Sequence, residues 1–178
     1  MDTIQIKDLT FQLSLSEAQI RQRVRQLGRD IHRDYAGKNP VFLVVLNGAF
    51  MFASDLLKEV EIECEVSFVR LASYVGTGST GEVREIIGIS TPLEQRHVII
   101  VEDIVDTGIT MKNMWARLSD YRPASIRLAA LLVKPQNLKV NVNVDYTGFH
   151  IGNDFVVGYG LDYDGYGRNE RNLYVLKS

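Results

Sequence analysis

Three uninterrupted apolar runs, Val41–Leu46 (VFLVVL), Val98–Val101 (VIIV) and Leu128–Val133 (LAALLV), constrain this chain more than any other feature. A strand with one wet face alternates apolar and polar residues, whereas a strand covered on both faces has no need to. The runs therefore read as buried strands of a mostly parallel sheet. Helical periodicity lies around them. Ile20, Val24, Leu27, Ile31 and Tyr35 recur at helical spacing, Phe50–Val60 reads as a second helix, and Met111, Trp115 and Leu118 mark a third. Strands alternating with helices predict an α/β fold with helices on both faces of the sheet.

The remaining signals fill in the order. Ser14 and Glu17 have the spacing of a capping box and set the start of the first helix, which Gly37 and Pro40 end. The alternation from Cys64 to Val69 gives a strand, and Val83–Ile89 a weak one. Ile126–Val133, Val142–Phe149, Phe155–Leu161 and Leu173–Leu176 are further strand segments. Residues 75–82, rich in Gly, Ser and Thr, are the expected mobile loop. Without an internal repeat or a linker, residues 1–178 read as a single domain.

Composition narrows the function. With 46% hydrophobic and 24% charged residues, the chain resembles an average globular protein. Its 178 residues can bury a core without disulfides or structural metals. Twenty basic against 22 acidic residues give a net charge of −2, which argues against a dedicated nucleic-acid or membrane-surface binder. The arginines of the first helix (Arg21, Arg23, Arg25, Arg29, Arg33) are diluted by Gln and Asp and read as a solvated face. The single cysteine, Cys64, cannot form an internal disulfide, so a cytoplasmic setting is expected. His32, His97 and His150 lack zinc-site spacing. No signal peptide is expected from the first residues, MDTIQIKDLTFQ. The apolar runs are far shorter than the ~20 residues of a membrane span.

In such sheets ligands bind beyond the carboxyl ends of the strands, here just after Leu46, Val101 and Val133. The strongest motif sits at one of these ends: Val98–Thr110, VIIVEDIVDTGIT. An apolar strand ends in Glu102 and Asp103; Asp106, Thr107, Gly108 and Thr110 follow at a helix start. Free amides there can hold a phosphate, with Gly108 permitting close approach and the threonines supplying hydroxyls. The two acids can hold sugar hydroxyls or hydrated magnesium. Helix capping by Asp106 or Thr107 would explain one acid, but not three crowded together.

This segment resembles the phosphoribosyl-pyrophosphate (PRPP) motif of the type I phosphoribosyltransferases, and the order of the other segments is similar to the hypoxanthine-guanine enzymes of that family. The resemblance implies a mostly parallel central sheet flanked by helices, with a small hood formed by the chain ends. It implies purine salvage, the transfer of 5-phosphoribosyl from PRPP to hypoxanthine or guanine, with Mg2+ as cofactor and a homodimer or homotetramer as the assembly. In site terms it implies that Asp106 is the general base and that Glu102, Asp103, Asp106, Thr107, Gly108, Ile109 and Thr110 bind ribose and its phosphate. Asn47, Gly48 and Arg168 would bind pyrophosphate, the first two in a loop that often carries a non-proline cis peptide. Ser73 and Tyr74 would begin the closing loop. Lys134 would read the 6-oxo group, Phe155 would stack on the purine, Val156 would bond the base edge through its backbone, and Asp162 would join Glu102 and Asp103 around magnesium. Two positions depart from the pattern. Asn47 stands where relatives commonly have Lys or Arg, and Ile109 where some have Lys. Tyr159, Tyr163 and Tyr166 read as packing or subunit contacts. Gly76, Gly78 and Gly81 match a dinucleotide fingerprint, but the strand-like Glu82–Ile89 follows where that motif needs a helix. A xanthine enzyme, or a non-catalytic regulator on the same fold, are the alternative readings.

Overall fold

The computed structural model of the chain describes residues 2–73 and 83–177. Its central sheet has six strands in the order β5 (Val83–Ile87), β4 (Glu65–Ser73), β3 (Val41–Leu46), β6 (His97–Val105), β7 (Ser125–Val133) and β8 (Tyr146–His150). Strands β4 to β8 are parallel, and β5 is an antiparallel edge. The three apolar runs occupy the middle, as β3, β6 and β7. Phe42, Val44, Ile99, Val101, Ala129 and Leu131 pack with α1 (Glu17–Tyr35) and α2 (Phe50–Glu59). Their neighbours Leu43, Ile100, Leu128 and Ala130 pack with α3 (Ile109–Ser119). Burial on both faces is thus the reason these strands carry no polar alternation.

Helix α1 seals the edge of the sheet as well as one face. Arg23 reaches from it to β8, and its guanidinium donates to the carbonyls of Thr147 (2.6 Å) and Gly148 (3.0 Å), groups an open edge would leave unpaired. Gly28 lets α1 cross α2 closely, since a Cβ there would lie 2.6 Å from Cβ of Glu59.

The second sheet, in the order β1 (Thr3–Ile6), β2 (Leu9–Leu15), β10 (Leu173–Leu176), β9 (Val156–Val157), is antiparallel and is the hood built from the chain ends. Ile6, Phe11, Val157 and Tyr174 form its own small core. Val156, Tyr159, Leu161 and Leu173 belong instead to the main core, so the two sheets share packing.

Several boundaries differ from the sequence reading. The capping box is Ser16 with Gln19: the Gln19 amide donates to Oγ of Ser16, and the Ser16 amide to Oε1 of Gln19. Ser14 is in β2, because Leu15 still pairs with Leu173 and holds the chain extended to that point. Strand β6 continues past the acids to Val105, where the carbonyl accepts the Lys134 amide (2.9 Å). The segment expected from Val142 becomes a strand only at Tyr146, and Val142 and Val144 pack on the α3 side instead. Of Phe155–Leu161 only Val156–Val157 is strand; Gly158 and Leu161 then bond each other across a turn.

The cap gives a direct check. Ser16→Ala should cost about 1 kcal/mol in urea unfolding, whereas the exposed Ser14→Ala should stay within about 0.5 kcal/mol of the parent.

Candidate active site

The carboxyl ends of β3, β6 and β7 converge with the hood. After β3 the chain turns through Asn47 and Gly48 into α2, and the Leu46–Asn47 peptide is cis. Gly48 is pinched from two sides. A Cβ on it would overlap the Asp103 carboxylate, and a Cβ on Gly160, at φ +102°, would overlap the Gly48 carbonyl. The first turn, the acids of β6 and the hood segment therefore meet at a residue with no room for a side chain.

Glu102, Asp103, Asp106, Thr107 and Thr110 line one cleft of about 230 Å³. Glu102 is buried, and its Oε2 has no hydrogen-bond partner among the described residues. Burial, reinforced by neighbouring Asp103, pushes its carboxyl well above the ordinary range. Asp103 accepts the Ile104 amide at Oδ1 (2.7 Å). Gly108, at φ +78°, is the N-cap of α3, and no side chain caps this helix. Its first-turn amides are thus open to an anion. Thr107 touches the Ile109 amide only at 3.4 Å, and Ile109 is itself exposed. Asp106 and Thr107 are therefore not the helix cap, and Asp106 has different neighbours.

Those neighbours define a second cleft of about 250 Å³, lined by Asp103, Asp106, Lys134, Phe155, Val156 and Asp162. Asp103 and Asp106 line both clefts, which places the two side by side. Lys134 is 6% exposed; its Nζ donates to the Asn153 carbonyl (3.3 Å) and stands 3.6 Å from Oδ2 of Asp106. Phe155 is half-exposed, with Phe11 and Tyr163 at ring-centroid distances of 6.2 and 6.1 Å. Asn137, which carried no signal in the sequence, donates its side-chain amide to Oδ1 of Asp106.

Asp162 and Arg168 form a pair. Nη2 of Arg168 lies 2.6 Å from Oδ1 of Asp162, its Nη1 donates to the Gly160 carbonyl, and the Gly165 amide donates to Oδ2 of Asp162. Among the described residues no group of three or more His, Cys, Asp or Glu is placed to bind a metal by itself. Asp162 is neutralised by Arg168. Magnesium keeps several waters and takes one or two protein carboxylates beside substrate phosphates. The unpartnered oxygen of Glu102 beside Asp103 fits that demand.

Ser73 ends β4, while Tyr74 and the expected loop at 75–82 lie outside the described residues. Of the tyrosines, Tyr159 is buried and donates to Asp55 (2.7 Å), Tyr163 donates to Asp8 (2.9 Å), and Tyr166 is exposed beneath the Lys7 ammonium.

The buried acid has a measurable signature. Its raised folded-state value means that the folded chain holds the proton more tightly than the unfolded chain does. Stability from this group is present at low pH and erodes as pH rises from the ordinary 4.5 towards that value. In cation-free buffer, Glu102→Gln should remove this erosion and leave the thermal midpoint at pH 7 unchanged or higher. A fall in that midpoint would contradict the assignment.

Residues 15–164 match the family model of the phosphoribosyl transferase domain. The chain is 40% identical over 164 residues to the hypoxanthine-guanine phosphoribosyltransferase of Streptococcus pneumoniae, covering 92% of this chain and 91% of that protein. It superposes on the hypoxanthine phosphoribosyltransferase of Staphylococcus aureus with a TM-score of 0.89 at 37% identity, covering 93% of this chain and 91% of that one. The Trypanosoma cruzi hypoxanthine phosphoribosyl transferase gives 0.89 at 34% identity, covering 98% and 95%. With a family model matching residues 15–164 and a relative 40% identical over 92% of the chain, the chain belongs to the phosphoribosyl transferase family.

Proposed function

We propose that this protein transfers the 5-phosphoribosyl group of PRPP to hypoxanthine and guanine, releasing pyrophosphate and giving IMP or GMP. One observation carries the reading: a buried cation, Lys134, and a carboxylate, Asp106, stand 3.6 Å apart in a cleft with the Phe155 ring. A 6-oxopurine presents an acceptor, its 6-oxo group, beside a donor, the N7 proton, on one edge. Lys134 suits the first and Asp106 the second, with Phe155 stacked on the ring and the Val156 backbone at the opposite edge.

The other roles follow from chemistry. The open amides at the start of α3 and the hydroxyls of Thr107 and Thr110 anchor the 5-phosphate, so that Ile109 contributes only its backbone. Glu102 and Asp103 hold the ribose hydroxyls and would hold a hydrated magnesium ion, which supplies charge neutralisation for pyrophosphate. Asn47 brings no charge to pyrophosphate, so its amide, that of Gly48 and the Arg168 guanidinium provide the protein's share. Asp106 receives the N7 proton as the glycosidic bond forms. Ser73 and Tyr74 begin the loop that closes over these groups.

The whole chain acts as one domain, because hood residues pack into the main core. It self-associates as a dimer or tetramer, which sedimentation measures directly. Cys64, half-buried with its thiol pushed up by burial, suits the reducing cytoplasm.

A turnover assay with PRPP and Mg2+ tests the reading, with hypoxanthine, guanine, xanthine and adenine offered separately. Hypoxanthine and guanine should be consumed, and chelation should abolish turnover. Exclusive use of xanthine or adenine would overturn the assignment of the base pocket. Asp106→Asn should keep the fold and lower kcat by about 10²–10⁴-fold. An adenine amino group would face Lys134 donor to donor and leave one of its N–H groups without an acceptor, at roughly 1–3 kcal/mol or about 10–100-fold. Lys134→Met should therefore raise the KM for hypoxanthine and narrow its advantage over adenine.

A further inference from the structure

We propose that Asn137 is a positioning residue that aims the Asp106 carboxylate at the purine; this rests on the reading of Asp106 as the general base. Asn137 ends a 3-10 turn, Pro135–Asn137, that begins directly after Lys134. The Asn137 amide donates to the Lys134 carbonyl (3.1 Å) and closes that turn. The two side chains that face Asp106 therefore come from one rigid turn. Nζ of Lys134 faces Oδ2, and the side-chain amide of Asn137 donates to Oδ1. A carboxylate only accepts hydrogen bonds, which fixes the amide nitrogen, rather than the oxygen, towards Asp106.

The chain beyond the turn braces the same loop. The Lys139 amide donates to the Thr107 carbonyl (3.0 Å). Leu138, Val140 and Val142 crowd the vacant Cβ position of Gly108, at 3.4, 3.2 and 2.9 Å. One backbone hydrogen bond and these side-chain contacts thus hold the Thr107–Gly108 backbone in place. They leave the Asp106 side chain, whose exposure is 43%, free to turn. Asn137 removes that freedom. It occupies Oδ1 and leaves Oδ2, the oxygen on the Lys134 side of the cleft, as the acceptor for the N7 proton. A base held in its reactive orientation needs no reorientation before proton transfer, and misplacement by about 1 Å costs up to ~10²-fold.

The test compares Asn137→Leu, similar in size but without the donor, and Asn137→Asp, which places a second acid opposite Asp106. Each is made in the full chain and again in the Asp106→Asn background. Both single variants should keep the parental thermal midpoint and lose roughly 10- to 100-fold in kcat, with KM for PRPP and hypoxanthine within about threefold. In the Asp106→Asn background, Asn137→Leu should have less than about a twofold further effect, because the group it acts through is gone. Three results overturn the proposal: kcat of Asn137→Leu near the parental value, an equal loss in both backgrounds, or a rise in the KM for PRPP that matches the fall in kcat. If Asp106→Asn is itself impaired, any of these defeats the role of Asn137 alone. Parental turnover of Asp106→Asn would defeat the reading of the base and, with it, this one.

Discussion

Residue 48 must have no side chain, and the rest of the site is arranged around that requirement. The Asp103 carboxylate occupies the space that a Cβ on Gly48 would take, and the Gly48 carbonyl occupies the space that a Cβ on Gly160 would take. The contact ties the loop after β3 to the acids of β6 and to the hood. Tyr159 secures the arrangement from behind, with its ring in the main core and its hydroxyl on Asp55 of α2. The left-handed stretch Gly158–Tyr159–Gly160 gives the chain the curvature to reach there.

Crowding several carboxylates into one cleft is costly unless each is treated separately. Glu102 is buried and pushed towards its neutral form, Asp103 takes a backbone amide, Asp106 is flanked by Lys134 and Asn137, and Asp162 is neutralised by Arg168. The acid left without a partner oxygen lies next to the one that limits Gly48. The site therefore holds its unmet demand for positive charge where the ribose end of PRPP and a hydrated cation would lie.

The sheet was legible because complete burial removes polar residues from β3, β6 and β7, a pattern that survives in the bare sequence. The loop proposed to hold the phosphate stood out in the sequence because its glycine and hydroxyls follow a buried strand at a helix start. The N-terminal hairpin was not: in Thr3–Ile6 and Leu9–Leu15 only Ile6 and Phe11 are buried, and two buried residues make no period. The helix start was misplaced by two residues because strand pairing at Leu15 outweighed a local capping signal. Apolarity also misleads on β4, where Val66 and Phe68 are exposed while Ser67 is buried. Asn137 was invisible because its meaning depends on a loop distant in sequence. The pairing of Asp162 with Arg168 was not legible either, because it depends on the turn between them.

The aromatic wall of the purine cleft joins Phe11 to Phe155, residues from opposite ends of the chain, and β2 pairs with β10 across the same divide. All six strands of the central sheet lie within residues 41–150, whereas the wall requires β10 to pair with β2. Such long-range closure is entropically expensive and comes late. A chain cut before Leu173 keeps every strand of the central sheet but loses the pairing that holds Phe11 against Phe155.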